Sequence, residues 1–192
     1  MFSIDTRFLS CVRCVSSGAF FITVMILLST SVKVMGYGSG ITGRSTTGCT
    51  SCHSGTSANT TISFTGNTTV NAGSSATLSL VVQNSSRPRA GFDMDFVNST
   101  NTQISGLAVV SGQGAYMSGN EMTHSTAKTM SGGQATWNFT LNAPSTPGLY
   151  TIRVAGNATQ NGSTGDSKTS TQTIIVKGLS LIHISEPTRR YA

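Results

Sequence analysis

Charge is scarce in this chain: Asp, Glu, Lys and Arg together make up 9% of its 192 residues. The formal net charge of +6 is misleading, because half of it sits near the two ends. Residues 37–178 carry seven basic and four acidic side chains, a net +3, with no run of one sign. That pattern excludes a nucleic-acid-binding surface, which needs a clustered basic patch. Long apolar runs are lacking as well. Residues 19–28 (AFFITVMILL) form an apolar stretch of ten, short for a bilayer span. Histidine is limited to His53, His124 and His183, and cysteine to Cys11, Cys14, Cys49 and Cys52. With so few histidines, no Ser-His-Asp set can be assembled once His53 and His124 are otherwise used, so no enzyme is expected. The cysteines near the middle of the chain are three apart, so none can bridge two sheets of a β domain.

What is present begins with Cys49-Thr50-Ser51-Cys52-His53, a C-x-x-C-H. Given 4 Cys and 3 His in 192 residues, chance produces this string in about one chain in a thousand. The spacing is the attachment signature of a c-type haem. The two thiols add to the vinyl groups as thioethers, and His53 becomes an axial ligand of the iron. Two other readings stay open on the residues alone: a local Cys49–Cys52 disulfide, and a zinc site. Zinc wants about four ligands, and only Cys49, Cys52, His53 and His124 are on offer. A thioredoxin-like pair would need a βαβ context, and none is visible. Cys11-Val12-Arg13-Cys14 repeats the cysteine spacing without the histidine, and no function is assigned to it.

Both ends read as segments outside the domain. Residues 1–36 have the form of a secretory signal peptide: Arg7 and Arg13, then the apolar stretch, then Val34-Met35-Gly36 before Tyr37. Export agrees with c-type attachment, which takes place outside the cytoplasmic membrane. Residues 179–189 (LSLIHISEPTR) read as a translated transposase-type sequencing adapter. Residues 179–192 are therefore set aside as non-native, His183 with them. A native C-terminal anchor would have been lost at that junction. Membrane attachment is expected only through such an anchor or an uncleaved signal.

Between these ends lie two regions. Residues 37–57 form a Gly/Ser/Thr-rich leader that bears the motif and shows no helical periodicity. From residue 60 the apolar period becomes two. Ile62 and Phe64 alternate with polar neighbours, and Leu78, Leu80 and Val82 alternate with Thr77, Ser79 and Val81. The same holds for Phe92, Met94 and Phe96, for Trp137, Phe139 and Leu141, and for Tyr150, Ile152 and Val154. Ile174 and Val176 close the series. Turn signals at Asn71-Ala72-Gly73, Arg87-Pro88 and Thr146-Pro147-Gly148 separate these segments. With residues 107–111 and 122–125 added, about seven or eight short strands are expected. The predicted fold is an all-β, immunoglobulin-like antiparallel sandwich over residues 58–178, preceded by a haem-bearing loop. Trp137, Phe139 and Phe92 are expected in its core.

Ser39-Gly40-Ile41-Thr42-Gly43-Arg44, followed by the C-x-x-C-H and Ser54-Gly55, resembles the leader of exported bacterial proteins with a choice-of-anchor V, Reeler-like domain. Gly91-Phe92, Thr123-His124-Ser125, residues 137–144 (WNFTLNAP), residues 155–158 (AGNA) and residues 161–166 (NGSTGD) follow in that family's order. The resemblance covers nearly all of residues 37–178. It implies a Reeler-like β-sandwich joined to one C-x-x-C-H, exported and tethered at its C-terminus. The family's histidine falls at His124.

These readings together point to one covalent haem c held by Cys49 and Cys52, with His53 as proximal ligand and His124 as candidate distal ligand. Met94, Met117 and Met122 are the alternatives for the distal position. Arg44 is either a partner for a haem propionate or a solvated leader charge, and the second is favoured on sequence grounds. The expected role is electron transfer with an unidentified redox partner in the periplasm, at the cell surface or outside the cell. The alternative is an extracellular binding or adhesion module, with a surface ligand and a structural or sensory haem.

Overall fold

The computed structural model describes residues 38–50, 52–53, 59–161 and 164–178. The expected signal peptide, Cys11, Cys14 and the C-terminal tail with His183 lie outside the described residues. Among the described residues, eleven strands follow one another: β1 (Thr61–Gly66), β2 (Thr69–Asn71), β3 (Ser75–Gln83), β4 (Arg89–Val97), β5 (Leu107–Val109), β6 (Ala115–Ser118), β7 (Glu121–His124), β8 (Lys128–Thr129), β9 (Gln134–Asn142), β10 (Gly148–Asn161) and β11 (Thr164–Lys177). They form two sheets. One has the order β1-β3-β9-β5; the other runs β2-β11-β10-β4-β7-β6, with β8 paired to β4. Every pairing is antiparallel except β2 with β11. The expected all-β, immunoglobulin-like sandwich is the fold of this chain.

Period-two patterning explains the core. Leu78, Leu80 and Val82 on β3 stand opposite Phe139, Trp137 and Ala135 on β9, and all six are buried. From the other sheet, Phe92, Met94 and Phe96 on β4 are buried, as are Ile152 and Val154 on β10. Ile152 pairs with Phe96, and Val154 with Met94. Each such side chain contributes roughly 1.5–3 kcal/mol by leaving water. Phe92 meets Trp137 edge-on, with centroids 4.9 Å apart. The Tyr150 hydroxyl donates to the Thr146 carbonyl at 2.9 Å and fixes the turn into β10.

Two differences from the sequence expectation matter for the site. First, β10 and β11 are 14 residues each and pair almost to their ends. Residues 155–158, which carry no apolar alternation of the usual kind, lie mid-strand. Second, β4 is buried on both faces from Ala90 to Val97. Asp93 and Asp95 alternate with the core residues, so period two alone places them on the outer face, yet each is 1% exposed. Asp95 is neutralised by an ion pair with Arg153. The cover over this outer face comes from other parts of the chain, including the leader. Burying a carboxylate costs less when donors from that cover meet it.

Candidate haem-binding site

The leader does not project away from the sandwich; it is stitched across the outer face of the larger sheet. Ala127 donates its N–H to the Gly38 carbonyl at 3.1 Å. Gly40, at φ +77°, lies so close to β7 that a Cβ there would stand 2.2 Å from the His124 carbonyl oxygen. Only glycine satisfies both that backbone conformation and that approach. The Arg44 N–H donates to Asp93 Oδ2 on β4 at 2.7 Å, and the Cys49 N–H donates to Ser167 Oγ on β11 at 2.8 Å.

The described residues of the motif are tied together by two backbone bonds. Cys52 and His53 both donate their N–H groups to the Cys49 carbonyl, at 3.0 and 2.9 Å. Those two bonds bring Cys52 and His53 back to Cys49 in a tight turn. No periodicity foretold this turn, because one turn is too short to show any.

These three residues line a cavity with His124, Arg44 and Arg89. The enclosed space is about 120 Å³ and opens to solvent. Ile41, Phe92 and Ala127 give it an apolar wall, and Asp93, Asn157 and Thr159 border it as well. His124 ends β7, and its Nδ1 sits 3.0 Å from the Phe92 nitrogen and 2.9 Å from the Phe92 carbonyl oxygen. With Nδ1 turned to the Phe92 backbone, a metal bond by this imidazole would use Nε2. The ring rests on Gly91, where a Cβ would come within 2.4 Å of Cε1.

The electrostatics suit neutral ligands. Burial pushes the Cys49 thiol up to about 11, against the weaker pull of the Ser167 hydroxyl and of Arg44. Such a thiol is a poor thiolate, which disfavours a reactive cysteine or a bare metal ligand. Burial lowers the His53 pKa, and His124 nearby lowers it further. Both effects keep the imidazole uncharged, the form that binds iron. Among the described residues, no three His, Cys, Asp or Glu side chains converge to hold a metal ion. No disulfide joins Cys49 to Cys52.

Polar atoms left without partners concentrate here. Of the five buried orphans among the described residues, Arg44 Nε, His53 Nδ1, Asp93 Oδ1 and Asn157 Oδ1 belong to residues lining this cavity. The fifth, Trp137 Nε1, belongs to the core. Buried polar groups are normally paired, so this cluster marks a place built for a polar ligand with an apolar body. The residues present fit a haem.

The structure brings together all four residues expected at the site. It corrects two subordinate readings. Arg44 is not a solvated leader charge; it is half-buried at the cavity. Met94 and Met122 are core residues, and Met117 packs against that core, so none of the three lines the cavity. Sequence reasoning missed Arg89, Asp93, Asn157 and the seat at Gly91. A glycine inside an apolar strand signals a close approach, so Gly91 was legible; the others carried no signal.

Asp93 offers a direct check on how closely the leader covers the sheet. Burial, with Glu121 and Asp95 adding repulsion, raises its pKa from 3.8 to about 7, although the N–H groups of Arg44 and Ser45 oppose the shift. A raised folded-state pKa gives stability that is present at low pH and lost as pH climbs to the folded value. Between pH 4 and 7, Asp93 should therefore erode stability by up to about 1.4 kcal/mol per pH unit. Asp93→Asn should remove that slope, so the variant gains on wild type as pH rises. Urea unfolding of the haem-free chain at pH 5 and pH 8 measures this; an unchanged difference between the two proteins would mean that Asp93 is solvated.

No protein-family model matches the chain, and no curated protein matches it. Solved structures do. The Reelin-N domain of F-spondin aligns with TM-score 0.42 and 10% identity, over 72% of this chain and 93% of that one. Self-complemented MyfA, the major subunit of Myf fimbriae from Yersinia enterocolitica, solved in complex with galactose, aligns with TM-score 0.41 and 17% identity, over 61% and 98%. The CARDB domain of a Pyrococcus furiosus protein, solved with di-metal ions, aligns with TM-score 0.34 and 12% identity, over 62% and 94%.

Proposed function

We propose that this chain is an exported, monohaem c-type cytochrome-like protein that transfers electrons in the periplasm or at the cell surface. One observation carries the reading: the C-x-x-C-H turn is folded against the sandwich so that His53 and His124 line one cavity. Cys49 and Cys52 would hold the haem covalently, and His53 and His124 would be its axial ligands. When bound, the haem supplies a one-electron couple. The chain's own residues do the rest. The Phe92 backbone orients His124, Ile41 and Phe92 exclude water, and the Ser167 hydroxyl fixes Cys49. Were both imidazoles to bind the iron, no position would remain for substrate, which favours electron transfer over catalysis. The leader and body motifs that resemble choice-of-anchor V proteins support export and a membrane tether. A partner of this kind would be a redox protein.

The test is the full chain, exported in a host competent for c-type maturation. Haem staining after denaturing electrophoresis should show covalent haem, and oxidised and reduced spectra should be low-spin. His124→Ala should keep the haem and turn it high-spin. A folded product without covalent haem would overturn the cytochrome reading and leave an exported binding module.

A further inference from the structure

The cavity has an asymmetric chemistry: an apolar wall on one part of its lining and two guanidinium groups on another. Arg44 comes from the leader, and Arg89 opens β4. The ion pairs among the described residues are Arg87 with Asp166 and Arg153 with Asp95, so neither cavity arginine has a carboxylate partner there. Arg44 Nε is buried without any hydrogen bond. An unpaired buried donor on a charged group costs more than the roughly 1–3 kcal/mol of a neutral one, unless a ligand supplies an acceptor. Arg87 and Arg153 show that this chain pairs its half-buried arginines when a carboxylate is within reach. Asp93 is the acidic residue bordering the cavity; Arg44 meets it through the backbone N–H.

We propose that Arg44 and Arg89 form a carboxylate-binding subsite that takes the two propionates of the haem. This rests on the haem reading of the cavity. Guanidinium groups bind carboxylates through paired N–H donors, and Arg44 Nε is one such donor awaiting an acceptor. Two separate arginines match two separate propionates on one edge of an otherwise apolar ring, which Ile41, Phe92 and Ala127 would face. The subsite also gives the leader a reason to close on the sheet: ligand binding would link Arg44 to Arg89 across the gap between two chain segments.

The test separates carboxylate recognition from haem attachment. The full chain with Cys49→Ala and Cys52→Ala retains the arginines without the covalent anchor. Titrated with haemin and with haemin dimethyl ester, it should bind the free acid at least about tenfold more tightly. Adding Arg44→Gln and Arg89→Gln should abolish that preference. Equal affinity for acid and ester with the arginines intact would overturn the subsite while leaving the haem reading standing. Should the cysteine variant bind neither porphyrin, the matured Cys-intact protein decides. There Arg44→Gln/Arg89→Gln should lower the midpoint potential, by about 59 mV for a tenfold change in the oxidised-to-reduced ratio. An unchanged midpoint with haem retained would overturn the subsite. Absence of covalent haem from the wild-type chain would overturn the haem reading, and the subsite with it.

Discussion

Gly91→Ala should convert the matured protein from a low-spin to a high-spin haem spectrum while leaving the haem covalently attached. A methyl group at this position would lie 2.4 Å from Cε1, 2.6 Å from Nε2 and 2.8 Å from Nδ1 of His124. Real contacts of that length do not occur, so the ring must leave its seat. Gly91 does not occupy a left-handed backbone conformation, so alanine carries no backbone strain there. Relative to glycine it even favours a strand. The effect is therefore steric and local, with an overpacking cost of about 1–3 kcal/mol. Moving the ring also breaks the contact between Nδ1 and the Phe92 backbone. The C-x-x-C-H at Cys49–His53 belongs to another segment, so haem proposed to attach there should stay covalently bound. Visible spectra of the oxidised protein check the spin state, and far-ultraviolet circular dichroism checks the fold. A low-spin spectrum in Gly91→Ala would mean that His124 is not the distal ligand.

Trp137→Ala should be the most damaging single change in the sandwich, costing about 3–5 kcal/mol. Domains of this size are stable by only about 5–15 kcal/mol, so much of the protein would unfold at 37 °C. Trp137 is 1% exposed on β9 and stands opposite Leu80. Its ring meets Phe92 edge-on at 4.9 Å, and Lys128 Nζ lies 5.1 Å above it. The loss would reach the site, because Phe92 supplies the backbone that holds His124. Trp137→Phe keeps most of the apolar area and removes the unpaired Nε1, so it should cost far less than alanine. Urea denaturation of the three proteins measures both differences. A cost under 1 kcal/mol for alanine would show that the two sheets do not close around this ring.

The contrast between these residues shows how far the sequence reaches. Trp137, Phe139 and Phe92 were recognisable as core from period-two alternation alone, because a half-buried strand must place its apolar side chains on one face. The C-x-x-C-H was equally plain, since its chemistry is contained in five consecutive residues. His124 stood out as the remaining histidine of the domain and through the family likeness, yet nothing local to it says which way its ring points.

Local sequence thus determined the strands, the sandwich class and the C-x-x-C-H string, each of which depends on short-range periodicity or spacing. Only the tertiary structure decided that the leader folds back over β4, β7 and β11. That choice depends on hydrogen bonds between residues far apart in the chain, such as Arg44 with Asp93 and Cys49 with Ser167. It buries Asp93 on a face whose alternation reads as solvent-exposed, and it makes Arg44 and Arg89 neighbours of one cavity. Contacts of that kind leave no periodic trace in a sequence, because they are set by where two surfaces meet.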